Sequence, residues 1–433
     1  MKKNLFVHCV FTLCFVLELS AKEVYSVDEL IVQALKNSPD IAISKLEYEA
    51  SQSRYDTAFS GYLPVLNLNG AAGRVAQDDT FNIQGVADNI IKGQLSLKQI
   101  IYDFGKTGGN SDVQKFASDA YSMQDFQNIS NKKEAVKKAY YGVLKSLALI
   151  NVQKENVKLN KAQLYRAQQY FKAGIRTKID ISDAEVQLIR AKLELNKAEY
   201  NLKLSYSNLD KIVGVSAIES DYGVYSQELE LDRLYESLIP YELNLHDSIL
   251  FAYENRYDLK QDRALTQSAQ SSVRAVDSEY YPSFYFGANY VYQDAQSEAL
   301  QTFLPKTQWS ALLNVDWNLY QGGATSSRKE EQKINSAISN AKVQNRKLII
   351  KANVTDAYIN VDKSRDTVGL AQSLLSVSDE KFDQASKRYE HGLSDYIELQ
   401  EARQGYINAK ASLVVDYYDY YIAVAKLDNA IGK

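Results

Sequence analysis

The sequence predicts a mostly helical protein with a small β part: long antiparallel coiled-coil helices and four short strands, arranged as one unit written twice. Three observations predict it. Residues 105–214 and 323–432 contain no proline, and a constant offset of 218 relates Gly174 to Gly392, Pro64 to Pro282, Tyr102 to Tyr320, Gly105 to Gly323 and Gly214 to Gly432. Within each stretch apolar residues recur every seventh position, the signature of a helix seam. Ahead of each stretch the apolar period shortens from 3.6 to 2, the signature of strands. The expected organisation is a signal peptide over 1–21, a first repeat over 22–214, a linker or equatorial segment over 215–245, and a second repeat over 246–433.

The start of the chain has the three regions of a secretory signal: Met1-Lys2-Lys3-Asn4, the mainly apolar run 5–19, and the small pair Ser20-Ala21, with cleavage expected after Ala21. Both cysteines, Cys9 and Cys14, lie inside it, and neither follows a small residue as a lipoprotein site requires. The exported chain is therefore expected to lack cysteine, which excludes a disulfide framework, thiol chemistry and zinc-thiolate sites. Past the signal no apolar run reaches the ~18 residues of a membrane-spanning helix. A net charge of −4 with dispersed cations disfavours nucleic acid. His246 and His391, the only histidines beyond the signal, stand far apart, so neither a metal nor a cofactor is expected.

Ser26 reads as the N-cap of a short first helix, and Ser38-Pro39 as the cap and first position of a second running to about Phe59; twins start near His246 and Tyr257. Each pair ends at a proline turn, Tyr62-Leu63-Pro64 or Tyr280-Tyr281-Pro282. Strands follow. Phe284, Phe286, Ala288, Tyr290 and Tyr292 alternate with more polar residues, as do Trp309, Ala311, Leu313, Val315, Trp317 and Leu319; Leu66, Leu68, Leu95 and Leu97 are the fainter first-copy version. Strands of about ten residues span a bilayer when tilted, and Trp309, Trp317, Tyr290 and Tyr292 suit its interface. A half-buried sheet of a soluble protein alternates too, but it needs a core partner, and here every flanking segment is a long helix. Polar loops are expected over 77–92 and 294–306. Four strands cannot close a barrel, and open edges are not tolerated in hydrocarbon, so other copies must complete the sheet.

The long outgoing helices carry the seams Val136, Val143, Ile150, Val157, Leu164, Phe171 and Val354, Val361, Val368, Leu375, Phe382, Tyr389. The returning helices carry Ile181, Leu188, Leu195, Leu202, Leu209 and Leu399, Tyr406, Leu413, Tyr420, Leu427, with alanine or serine three residues after most of them. A strict seven-residue period under-winds helices into left-handed supercoils. The tyrosines of these helices, among them Tyr140, Tyr141, Tyr417, Tyr418, Tyr420 and Tyr421, read as packing residues.

The whole exported chain resembles the outer-membrane efflux protein family, the TolC-like channels. The duplicated plan carries the resemblance, together with the proline turns before the strands, Tyr102-Asp103-Phe104-Gly105 and Tyr320-Gln321-Gly322-Gly323 after them, and the turns at Gly174 and Gly392. It implies a homotrimer with one twelve-stranded transmembrane β-barrel in outer-membrane lipid of a Gram-negative bacterium. It further implies a periplasmic helical tunnel, no catalysis, a periplasmic adaptor (membrane fusion) protein, and an inner-membrane pump of RND, ABC or MFS type. The expected cargo is drugs or other small molecules. A type I protein-secretion channel and a non-conducting coiled-coil envelope protein are the alternatives. Longer members carry a C-terminal extension around the waist, so here the waist is expected to rest on 215–245.

The resemblance makes Gly174, Ile175, Arg176, Thr177, Lys178 and Gly392, Leu393, Ser394, Asp395 the adaptor-contacting tips. As residues alone, each set also fits a glycine helix C-cap. Glu398 and Glu401 match the family's acidic constriction, with Asp180 and Asp183 as secondary acidic positions. Capping explains part of this pattern, because Thr177-x-x-Asp180 and Asp395-x-x-Glu398 have capping-box spacing. Nothing in the pattern supplies the cleft that paired catalytic carboxylates need.

Overall fold

The structure is a computed structural model describing residues 23–77, 86–215, 222–226, 229–296 and 305–433; the expected signal peptide lies outside them. The first repeat holds β1 (Glu23–Tyr25), α1 (Val27–Asn37), α2 (Pro39–Phe59), β2 (Val65–Gln77), β3 (Val86–Tyr102), α3 (Lys106–Lys172) and α4 (Lys178–Val213). After β4 (Tyr222–Val224) the second holds α5 (Leu245–Asn255), α6 (Tyr257–Asp277), β5 (Ser283–Ala295), β6 (Thr307–Asp316), α7 (Ala324–Glu390) and α8 (Tyr396–Ile431). The helix pairs α3/α7 and α4/α8 have identical lengths of 67 and 36 residues. At 1.5 Å per residue α3 and α7 are each about 100 Å long.

Local chemistry starts the helices where expected. Ser26 caps α1 in a reciprocal box, its N–H donating to the Glu29 carboxylate at 2.8 Å. Pro39 takes the first position of α2, where a missing N–H costs nothing. The seams are buried: Val136, Val143, Val354, Val368, Leu413, Tyr420 and Leu427 are all inaccessible. Phe171 departs from its seam and is 44% exposed, whereas its twin Tyr389 is 1% exposed, because Tyr389 faces the other repeat.

The two repeats are joined in three ways. Strands β3 and β5 pair antiparallel, α3 lies against both α2 and α6, and α3 runs along α8. Ion pairs stitch that last seam: Lys137–Asp428 at 3.0 Å, Lys145–Asp419 at 2.8 Å, and Lys410 with Glu155. Each is partly solvated, so each contributes modestly and together they set register.

At mid-length, β1 pairs in parallel with β4, Glu23 to Tyr222 through Tyr25 to Val224. The expected equatorial segment therefore pairs through β4 with Glu23–Tyr25 of the same chain, and it buries Leu234 and Leu238 against α7 and α8. Beside it the tyrosines do pack: Tyr141 stacks on Tyr421 at 5.3 Å, and the Tyr140 hydroxyl donates to the Tyr225 carbonyl at 2.8 Å. Burial pushes the Tyr140 hydroxyl up to about 12 from an ordinary 10.0, and raises Tyr141 and Tyr418 as well. The unfolded chain ionises these phenols first. For Tyr140 that stabilisation is thus complete below pH 10 and lost as pH rises through about 12. Alkaline titration followed by tyrosinate absorbance should show them ionising together with loss of helical circular dichroism; ionisation with helix intact would contradict it.

Two expectations need correction. Strands β2 and β5 are 13 residues and β3 is 17, not about ten, so much of 77–92 is strand and not loop. The period-2 reading also carried β6 too far: it ends at Asp316, leaving Trp317 and Leu319 beyond it. The Trp317 indole N–H instead donates to the Tyr280 carbonyl at 3.2 Å, tying the chain back to the proline turn.

Candidate functional site

Among the described residues the four long strands form one sheet in the order β2-β3-β5-β6 with both edges open. Directly paired residues of neighbouring antiparallel strands point to the same face. Register places Leu68, Leu95, Tyr290 and Trp309 in one row, and Leu66, Leu97, Ala288 and Ala311 in the next. The opposite face carries the rows Asn67, Ser96, Asn289, Ser310 and Asn69, Gln94, Val291, Gln308. One face is apolar and the other mainly polar, yet the apolar face is solvent-accessible, with Leu68 at 78% and Trp309 at 77%.

Aromatic residues collect at two levels of this sheet. Tyr290, Tyr292 and Trp309 occupy the far level. At the helix junction Phe104 stacks on Tyr281 at 4.9 Å and meets Tyr102 at 4.8 Å, while Phe59 and Tyr62 lie 5.6 Å apart. Trp309 and Trp317 are eight residues apart, about 27 Å along an extended chain. Sequence reasoning found Trp317 but missed the rest of the junction belt, although Tyr62 and Tyr281 beside the prolines were the available signal.

At the opposite end α3 and α7 finish in paired Schellman turns. Gly174 and Gly392 adopt φ +74° and +70°, which only glycine takes without strain. The N–H groups of Gly174 and Ile175 donate to the Phe171 and Tyr170 carbonyls at 2.9 Å, and those of Gly392 and Leu393 to Tyr389 and Arg388 at 3.1 and 2.8 Å. In an ordinary turn of this kind the residue after glycine packs back on its own helix. Here Ile175 is 67% and Leu393 70% exposed, so local capping does not account for them.

The two turns sit side by side. Arg166 pairs with Glu390 at 2.6 Å, and the Arg176 guanidinium lies 5.0 Å above the ring of Tyr389. Tyr389 packs with Tyr396 in a cluster that takes Ala167 and Ala184 from the first repeat and Leu399 and Ala402 from the second. The acidic residues diverge. Asp180 completes a capping box, accepting from the N–H and hydroxyl of Thr177 at 2.8 and 2.9 Å. Asp395 accepts from the Glu398 N–H at 2.9 Å, but the Glu398 carboxylate pairs with Arg388 at 2.9 Å, so that box is only half formed. Glu401 and Asp183 are exposed.

The sequence reading also missed Arg403, which is 5% exposed and has no carboxylate within ion-pair distance among the described residues. Burial pushes its guanidinium below the ordinary range. Its neighbour is the phenol of Tyr396, whose hydroxyl lacks a well-formed hydrogen bond. A buried charge without a partner destabilises the state that buries it. Arg403→Met should therefore stabilise the fold by roughly 2 kcal/mol, read as a higher melting temperature by circular dichroism; a lower one would mean that the Tyr396 contact outweighs desolvation.

Among similar proteins, outer membrane protein TolC of Escherichia coli is 20% identical over 413 residues, covering 92% of this chain and 80% of its own. The outer membrane channel CmeC of Campylobacter jejuni superposes with a TM-score of 0.80 at 17% identity, over 94% of this chain and 85% of CmeC. CusC, solved in crystals addressing its folding and transmembrane channel formation, gives 0.81 at 15% identity over 94% and 92%. Identities this low establish shared fold. The family model for outer membrane efflux proteins matches residues 30–215 and 251–433, which are the two repeats. Both halves of the duplication thus answer to one description, and the chain belongs to the outer membrane efflux protein family, whose members are channels of the Gram-negative outer membrane.

Proposed function

We propose that three copies of this chain form the outer-membrane exit duct of a tripartite efflux system, passing drugs or other small molecules from an inner-membrane pump, through an adaptor, to the outside. The observation that carries this is the two-faced sheet with open edges, set on hairpins about 100 Å long. Among the described residues neither face has a core partner, and twelve strands from three copies would close the edges. The apolar rows then face lipid, with the aromatic levels at its two interfaces, and the polar rows line the pore. The same closure covers two further surfaces. Val186, Ile189, Leu193, Tyr200 and Leu204 make an exposed stripe on α4, and Ile338, Ile359, Leu370, Leu374 and Val377 another on α7. The stripes differ and lie on different helices, as a head-to-tail ring requires.

In this reading Gly174 to Lys178 and Gly392 to Asp395 are the adaptor end, and Glu398 and Glu401 ring the periplasmic constriction. Two carboxylates about 7 Å apart repel by about 2 kcal/mol at an effective dielectric near 20, enough to favour bound cations. Because Arg388 already neutralises Glu398, Glu401 carries the larger share. Purified protein in planar bilayers should give defined, cation-preferring currents that trivalent cations block from the periplasmic side. Glu401→Gln should relieve most of that block, Glu398→Gln less, and Asp180→Asn or Asp183→Asn little. Reproducible absence of current would instead favour a structural envelope protein. Block lost with the Asn variants and kept with the Gln variants would reverse the assignment of the two repeats.

A further inference from the structure

Pairing register sorts the charge in the middle of the sheet onto one face. The face of Leu68 and Trp309 carries no charged residue from Leu66 to Ala72 on β2, Ile91 to Leu97 on β3, Ala288 to Tyr292 on β5 or Trp309 to Leu313 on β6. The two polar rows described above are bounded on their own face by two more. These are Ala71, Lys92 and Gln293 at one end, and Val65, Lys98, Gly287 and Leu312 at the other. Among the paired residues of these four rows the only charges are Lys92 and Lys98, and both side chains are exposed. Among the described residues neither lysine has a carboxylate within ion-pair distance, and Lys98 Nζ lies 4.4 Å above the ring of Tyr285. Lys306, just ahead of β6, is by contrast answered by Asp294 at 3.3 Å. Six residues of β3 separate the two lysines, about 20 Å along the strand.

We propose that in the assembled pore Lys92 and Lys98 of three copies form two rings of positive charge, an anion filter inside the sheet that holds polyvalent inorganic phosphates. The inference rests on the reading that the polar rows line the pore, and it names the solutes that this part of the pore selects. A charge on the lipid face is strongly disfavoured at mid-membrane, which accounts for the sorting of both lysines to the other side. Twelve strands about 4.8 Å apart and tilted about 40° enclose a wall about 24 Å across. The axis is then about 12 Å from the backbone, and the lysine stems cover part of that distance. Each ring's charge therefore reaches the axis within roughly one Debye length, about 8 Å at physiological salt. No carboxylate in the four rows cancels it, so anions concentrate between the rings. The duct thus changes sign along its length, from the acidic constriction near Glu401 to a basic lumen in the sheet.

The test uses the full-length assembled protein in planar bilayers, with inorganic tripolyphosphate added on the side opposite the long helices. Tripolyphosphate should reduce the current, and less so as salt is raised. Lys92→Gln with Lys98→Gln should raise the half-blocking concentration by about tenfold or more. In a salt gradient the same variant should shift the reversal potential toward stronger cation preference. Lys92→Arg with Lys98→Arg keeps the charge and should keep both the block and the potential. Trivalent-cation block from the helical side should persist in the glutamine variant, which verifies that it is folded and assembled. A conducting channel that tripolyphosphate does not block, or blocks equally in the glutamine variant, would overturn the filter and leave the pore reading standing. Block that follows the anionic lipid content of the bilayer and not the lysines would overturn it too, by placing these side chains at lipid headgroups. Absence of all current would overturn the pore reading and the filter together.

Discussion

Leu193→Lys combined with Leu204→Lys should leave the purified protein monomeric and unable to conduct. Leu193 is 52% and Leu204 68% exposed on the α4 stripe. Among the described residues nothing covers this stripe, so a lysine there costs the isolated subunit little. In the proposed ring the same positions are covered by α7 of the next subunit, and each lysine would be buried against Leu370, Leu374 and their neighbours without a carboxylate. Burying an unpaired charge costs several kcal/mol, repeated at every interface. Native mass measurement in detergent should show a folded monomer with full helical content. Leu370→Lys, on the facing stripe, should act alike. Persistence of a trimer in both variants would mean that the stripes are not the contact.

Gly109→Val should be strongly destabilising within one subunit, costing about 3 kcal/mol by overpacking. A Cβ at Gly109 would lie 2.8 Å from the N, Cα and Cβ of Ala275 on α6. What it meets is largely the backbone of another helix, which cannot rotate aside as a side chain does, so α3 and α6 must separate. That would loosen Arg274–Asp112 at 2.9 Å and the Ser268 hydroxyl bond to the Val113 carbonyl at 2.9 Å. The twin of Gly109 is Ser327, exposed on α7, so the requirement belongs to this crossing and not to the repeat. Thermal melting should place valine well below the unmodified protein and alanine between them. An alanine variant that melted higher, by its better helix propensity, would show the crossing to be looser than the backbone indicates.

Much of the architecture could be read from residues because it is local. A seven-residue period, a proline at a first helical position, a glycine able to take positive φ and a period of two each act through neighbours within a few residues, so they specify helices, turns and strands without knowledge of the fold. Duplication doubled each signal, and the long helices start and end in the same register in both copies. Strand ends were read less well, since hydrogen bonds from a neighbouring strand continue β2 and β3 through residues whose own pattern is polar.

What the chain by itself determined was its set of elements, their lengths along the helices, the acidic and glycine-centred motifs at one end and the amphipathic strands at the other. Only the tertiary structure decided what those elements meet: β1 on β4 at the waist, Gly109 against Ala275, Arg388 on Glu398, Tyr389 buried where its twin Phe171 is open, and Arg403 enclosed without an acid. These are contacts between residues far apart in sequence. Periodicity tells which face of an element is apolar, but the partner of that face, and therefore the environment of any charge beside it, is set by the register and crossing of elements that no local pattern encodes.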